Sequence, residues 1–243
     1  MQRQVGMKGI PTIVVMTALC GLSACANTPP HEDVRDPLEP VNRVVDKFND
    51  KVDRAIFKPV AQGYEKVVPA TARSSVTNFF GNLGEPLVVV NQMLQGKGKE
   101  GVSDAGRFLV NSTLGLFGLF DPASQMGLAK HNEDFGQTFG RWGIGEGWYL
   151  VLPILGPSTV RDTAGKFGDY QFDPIARREE VRERNGLNGL RTVDTRANLL
   201  SATKVRDTAA LDNYLFTREA YRQLRWNRIY DGNPPPVPFD EDE

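Results

Sequence analysis

Apolar side chains recur through residues 36–56 at Leu38, Val41, Val45, Phe48, Val52 and Ile56, in steps of three or four. That spacing is helical and predicts a first helix with one apolar stripe. Asp36 stands at a favourable N-cap, Pro37 suits the first helical position, and Glu39 completes a capping-box arrangement. The helix is expected to stop before Pro59. Further helices are predicted from Pro69 to about Phe80 and from Pro86 to Gly96, the latter opening on proline and closing on glycine. Within it Leu87, Val88, Val89 and Val90 leave no polar side, the mark of a segment buried in protein or in lipid. The pattern continues with a helix from Lys99 to about Thr113, an apolar run over 114–120, and a helix ending near Arg141. These elements predict an all-α fold.

The first 24 residues follow a different logic. Arg3 and Lys8 give a positive start without an acid, and residues 10–22 are mostly apolar, the layout of a secretory signal. The run is shorter than the roughly 20 apolar residues that span a bilayer. It ends in Leu22-Ser23-Ala24-Cys25, which looks like the lipobox of bacterial lipoproteins, where small residues precede a cysteine that becomes acylated. The simpler alternative is an ordinary signal peptide followed by a chance cysteine. Under the lipobox reading Cys25 is the lipidated first residue and Cys20 leaves with the signal. The mature chain then has 243 minus 24 residues, 219, with one cysteine and no possible internal disulfide. Several acyl chains, at about 0.8 kcal/mol per buried methylene, anchor such a chain permanently. Ala26 and Asn27 stand where an aspartate would favour inner-membrane retention, which points to the periplasmic face of the outer membrane. Residues 25–35, with Pro29 and Pro30, read as a lipidated tether.

Charge is spread unevenly. The 29 Lys+Arg and 30 Asp+Glu give a net charge of -1, which argues against a nucleic-acid binder. Residues 79–157 hold only 12 charged side chains but 15 of the 24 glycines and 10 of the 22 aromatics (13 Phe, 3 Trp and 6 Tyr). Composition alone fits a plain buried core. It also fits interfacial helices lying in the plane of one leaflet, with Phe108, Leu116, Phe117, Leu119 and Phe120 as candidates for a membrane belt. Residues 177–230 invert the balance, with 12 Lys+Arg against 7 Asp+Glu. There Arg218, Arg222 and Arg225 fall on one helix face, suited to an acidic partner or to a solvated face neutralised by Asp207, Asp212 and Glu219. Residues 231–243 read as a disordered acidic tail.

Catalytic chemistry has few candidates. The sequence has no Gly-x-Ser-x-Gly elbow, no phosphate loop and no His-Glu-x-x-His. His31 lies in the tether, which leaves His131 in the folded region. His131, Glu133 and Asp134 would serve as a base cluster, but the run fits better a polar helix start with acids near the positive dipole end. Two Cys and two His cannot close a zinc site once Cys20 is lost. No catalytic residue, metal or cofactor is expected. Gly143, Gly145 and Gly147 form a glycine-rich turn with freedom to act as a hinge.

The ordered motifs resemble a known family. Asp36-Pro37-Leu38-Glu39, Asn42-Arg43 and Phe48-Asn49 are similar to the opening of the VacJ/MlaA lipoproteins. The likeness continues through residues 78–86, Gln95-Gly96, Arg107-Phe108, Asn111 to Gly115, Phe135 to Gly140 and Gly143-Ile144-Gly145. It runs on through Leu152-Pro153, Arg161-Asp162, Arg196 to Leu200 and Arg218 to Tyr221. The resemblance implies a single ring-like helical domain over residues 36–230, held in one leaflet of the outer membrane. It implies removal of mislocalised phospholipid from the outer leaflet, transfer to a soluble periplasmic carrier, and association with a trimeric porin. Asn42, Arg43, Phe48 and Asn49 of the first helix would then border the passage, though these residues suit packing and capping equally well. Two rivals are a membrane-anchored lipid-modifying hydrolase, which would need a nucleophile–base pair, and a structural envelope lipoprotein, which would need a long coiled coil.

Overall fold

The computed structural model describes residues 36–235; the signal, Cys25, most of the tether and the end of the tail lie outside the described residues. Helix α1 (Glu39–Val52) begins at Leu38 without a side-chain cap. The predicted capping box does not form, because both acids are engaged elsewhere. Asp36 accepts the Leu38 N–H (3.1 Å), the Asn42 amide (3.2 Å) and the Tyr214 hydroxyl, while Glu39 pairs with Arg43 (2.7 Å). Nor does the helix stop before Pro59. A π-helical turn over Asp53–Phe57 carries the chain directly into α2 (Lys58–Val67), with Pro59 in the first turn, where a missing N–H is tolerated.

The second correction concerns Pro86. Residues predicted as two helices form one, α3 (Ala70–Leu94), with Pro86 in its interior. An interior proline disfavours a helix by about 3 kcal/mol. Here the long face that α3 shares with α4 (Gly98–Thr113) outweighs it. A short α5 (Pro122–Gln125), then α6 (Phe135–Arg141), lead to a small antiparallel hairpin, β1 (Tyr149–Leu152) and β2 (Gly156–Thr159), which the all-helical pattern did not predict. The chain closes with α7 (Val160–Phe172), α8 (Val181–Asn198), α9 (Leu200–Ala209) and α10 (Asn213–Ile229).

These elements form a closed circuit. Helix α3 packs on α8, α8 on α2, α2 continues through the π turn to α1, and α1 lies on β1. From β2 the circuit passes to α7, then α6, and back to α3. The α6–α7 contact is close because two glycines meet there. A side chain added at Gly165 would come within 2.4 Å of the Gly136 backbone nitrogen.

Polarity in this ring is inverted. Among the described residues the buried set holds eight apolar side chains and eighteen polar or charged ones. Large apolar side chains stand exposed on α1, α4, the 114–120 run and the hairpin. Helix α1 illustrates the exchange, because Val41, Phe48 and Ile56 of the predicted apolar stripe face outward while Asn42 is buried. Asn42 gives its amide to the Tyr149 carbonyl and accepts the Val151 N–H, both at 2.9 Å. Seven residues on, Asn49 repeats the contact with the Leu152 carbonyl (2.9 Å) and the Ile154 N–H (2.8 Å). Two asparagines thus serve as the second strand partner of β1. Removing either leaves backbone groups unpaired, at about 1–3 kcal/mol per buried group. Asn42→Ala is expected to destabilise the protein by about 2–4 kcal/mol. Asn49→Ala should cost less, since the Ile154 end of its clamp is exposed. Thermal unfolding in detergent measures both.

Candidate functional site

Two adjoining clefts open between members of the ring. The larger, about 600 Å³, lies between α1, the π turn, the hairpin tip, α8, α9 and α10. The smaller, about 360 Å³, lies between α3, the hairpin tip, α7, α8 and residues 172–174. Leu155 and Arg191 line both, so the hairpin tip and one arginine of α8 stand at the junction. The larger cleft has mixed walls, with Val52, Phe57 and Leu199 beside Thr192, Thr195 and Thr203. The smaller is mainly apolar, with Phe80, Leu83, Leu87 and Phe172, and carries Lys166, Asp169 and Asp173 at its polar side. A third cleft of about 680 Å³ lies against α2, α8 and α9, is lined mainly by polar residues such as Lys58 and Arg73, and shares no lining residue with the other two.

The junction is built under strain. Ile154 has φ +67, a conformation that a β-branched residue rarely adopts, and a residue so held carries about 1–3 kcal/mol. The Asn49 side chain binds the Ile154 N–H and the Leu155 N–H bonds the Pro153 carbonyl (2.8 Å), which together keep the tip in place. Ion pairs brace the rest of the wall. Arg196 binds Asp53 through two bonds (2.6 and 2.8 Å), Arg191 binds Asp173 (2.8 Å), and Arg206 binds Asp207 (2.8 Å).

The basic face of α10 turns inward. Arg222 and Arg225 are buried, which excludes a solvated face, and both are occupied by protein carboxylates rather than free for an acidic partner. Arg222 binds Glu146 (2.6 Å), and Arg225 bridges Asp134 and Asp162. Arg218 binds Glu219 (2.8 Å) and approaches Asp36 and Glu39. Burial alone would raise the Asp134 pKa, but the hydrogen bonds and charge of Arg225 hold it down to about 2. Asp162 is likewise held low against burial by Arg161 and Arg225. Asp169 goes the other way: burial pushes it up to about 6, only partly offset by the Phe135 N–H it accepts.

The sequence candidates are distributed as follows. Asn49 lines the larger cleft. Asn42 is consumed by β1, Arg43 pairs with Glu39 and Asp212 over the Tyr214 ring, and Phe48 faces outward. Leu116, Phe117, Leu119 and Phe120 are exposed, with Leu116 and Phe117 in the left-handed region. Phe108 is only partly exposed, and the outward positions of α4 are Val102 and Leu109. Gly143 and Gly147 take positive φ, whereas Gly145 does not. The loop is pinned at Glu146, whose carboxylate holds Arg222 and whose carbonyl accepts the Arg161 N–H. The base-cluster residues part company: His131 faces Asp104 (3.0 Å), Glu133 binds Lys97 (2.9 Å), and Asp134 caps α6. Leu155 and Arg191 escaped sequence analysis, although the Pro153–Gly156 spacing between apolar runs was a usable turn signal.

The described residues thus form a closed ring of helices with polar groups buried inside and large apolar groups exposed outside, and no described helix is long and apolar enough to cross a bilayer. The chain belongs to the MlaA lipoprotein family, whose model matches residues 34–228. It is 37% identical over 207 residues to the intermembrane phospholipid transport system lipoprotein MlaA of Escherichia coli, covering 83% of this chain and 82% of that one. The Haemophilus influenzae protein of the same name is 33% identical over 233 residues, covering 91% and 92%. A solved chain from work on the structural basis for maintenance of bacterial outer membrane lipid asymmetry superposes with a TM-score of 0.70 at 35% identity, covering 82% of this chain and 99% of that one.

Asp134 and Asp169 give opposite pH effects. The Asp134 contribution, about 2–3 kcal/mol, is present above its unfolded pKa near 4 and is lost as pH falls toward 2. Asp169, raised to about 6, destabilises the fold increasingly as pH rises from 4 through 6. Asp169→Asn is therefore expected to raise the melting temperature at pH 7 and to leave it unchanged at pH 4, measured by thermal scans across that range.

Proposed function

We propose that this protein removes mislocalised phospholipid from the outer leaflet of the outer membrane and passes it to a soluble periplasmic carrier, so that lipid asymmetry is maintained. The observation that carries this reading is the pair of joined clefts inside a ring whose outside is apolar. An amphiphile needs a route with both kinds of wall, and only such a route lets a charged headgroup enter a protein seated among acyl chains. The exposed Leu116, Phe117, Leu119 and Phe120, with Val102 and Leu109, form the belt in one leaflet. Acylated Cys25 fixes the ring to the membrane, residues 1–24 are its signal, and residues 25–35 its tether. The residues around Gly143 act as the hinge, a trimeric porin surrounds or flanks the ring, and no bond of the lipid is broken. Moving lipid along a path requires no catalytic group, and the separation of His131, Glu133 and Asp134 favours transport over a lipid hydrolase.

The test is a deletion strain complemented with variants, read by outer-leaflet phospholipid content and detergent survival. Deletion is expected to raise outer-leaflet phospholipid. Wild type should restore asymmetry, and Cys25→Ser should not, because it loses its hold on the membrane. Leu155→Trp should restore less than Leu155→Ala, since it fills the junction. Normal asymmetry in the deletion strain would contradict the proposal.

A further inference from the structure

The joined clefts are chemically graded, and the grading is informative about the lipid. At one end, away from the smaller cleft, stands Asp46 of α1, which also lines a side cleft of about 210 Å³ with Arg43, Lys47 and Arg206. Among the described residues its carboxylate has neither an ion pair nor a side-chain hydrogen bond, although Asp50, Asp53, Arg196 and Arg206 in the same wall are all paired. Burial pushes the Asp46 carboxyl above the usual carboxylate range; Arg206 and Arg43 oppose the shift from beyond ion-pair distance while Asp50 and Asp212 add to it, so a cation bound directly at the carboxylate would relieve it. In the middle, lining both clefts, stands Arg191, tied to Asp173 and Asn188 on one side. Beside it Arg196 gives Nε and Nη2 to Asp53 and leaves Nη1 buried without a partner, as is the Thr217 hydroxyl. At the other end, in the smaller cleft alone, are Phe80, Leu83, Leu87 and Phe172.

Along the route a carboxylate stands at one end, a guanidinium at the junction and the main apolar wall at the other end, with Lys166 and Asp169 at its polar side. An aminophospholipid has the same order in complementary form: ammonium, phosphate, acyl chains. We infer that the passage prefers a zwitterionic lipid with a primary ammonium, held by Asp46 at the ammonium and by Arg191 with Arg196 Nη1 at the phosphate. This inference rests on the transport reading and adds the headgroup class. An anionic lipid with a glycerol headgroup satisfies the phosphate end equally well but leaves Asp46 without a cation and places hydroxyls against it. A half-buried carboxylate without an ion pair favours the ligand that brings a cation to it. The carboxylate, rather than the arginines, therefore sets the preference.

The test uses the purified, lipidated full-length chain equilibrated in mixed micelles with equimolar phosphatidylethanolamine and phosphatidylglycerol, with bound lipid extracted and quantified by mass spectrometry. Wild type should be enriched in phosphatidylethanolamine. Asp46→Asn should lower the ratio of bound phosphatidylethanolamine to phosphatidylglycerol by about tenfold, the scale of one charge-assisted hydrogen bond exchanged for a neutral one. Asp46→Glu should keep most of the preference. Arg191→Gln should weaken retention of both lipids together and leave their ratio near that of wild type. An equal ratio in wild type and Asp46→Asn, with lipid bound to both, overturns the headgroup assignment and leaves the lipid passage standing. A folded wild-type protein that retains neither lipid overturns the passage and the headgroup assignment together.

Discussion

A polar group taken out of water has to find a partner, and in this protein that requirement organises the fold. The outer surface is given to apolar side chains, so the polar ones are pushed inward and must satisfy one another there. Asn42 and Asn49 do so by completing the hydrogen bonding of β1, which fixes the hairpin against α1. Arg107 does so by gathering Asp121, Ser124 and the Leu128 carbonyl, which ties α4 to the residues after the apolar run. Arg225 does so by bridging Asp134 and Asp162, which joins α10 to the starts of α6 and α7. Each contact spans elements that an oily core would otherwise hold together.

The same requirement explains what sequence analysis reached and what it missed. Helix α4 and the end of α6 follow directly from periodicity, because their local signals agree with the final packing. The stripe of α1 has the right period, but periodicity gives no sign of which face meets protein and which meets lipid. The break at Pro86 follows a sound local rule that long-range packing of α3 on α4 overrides. Arg222 and Arg225 of α10 belong to one face, but their carboxylate partners lie between 63 and 91 residues away, beyond any local pattern. Apolar periodicity located the first helix and glycine spacing the turn, whereas Arg191 and the hairpin tip emerge only when α8 and the hairpin are brought together.

Left-handed backbone occurs both at the cleft junction and on the outer surface. Ile154 at the hairpin tip and Leu116 with Phe117 at the outer surface adopt backbone conformations that ordinary residues avoid. The first is held by Asn49, and the second by backbone bonds from Phe117 to Ser112 and from Gly118 to Asn111. One lines the larger cleft at its junction, and the other carries large exposed apolar side chains. Among the described residues no helix is long and apolar enough to cross a bilayer, and the ring combines an apolar exterior with separate interior clefts.

That the interior route, and not only the exterior, meets lipid is tested most directly by photo-crosslinking from defined positions in cells. A photoreactive residue at Leu155 stands at the junction of the two clefts, and one at Phe117 stands on the outer surface. The account predicts phospholipid adducts at both. Adducts at Phe117 with none at Leu155, in a protein that is folded and present at normal level, would contradict it.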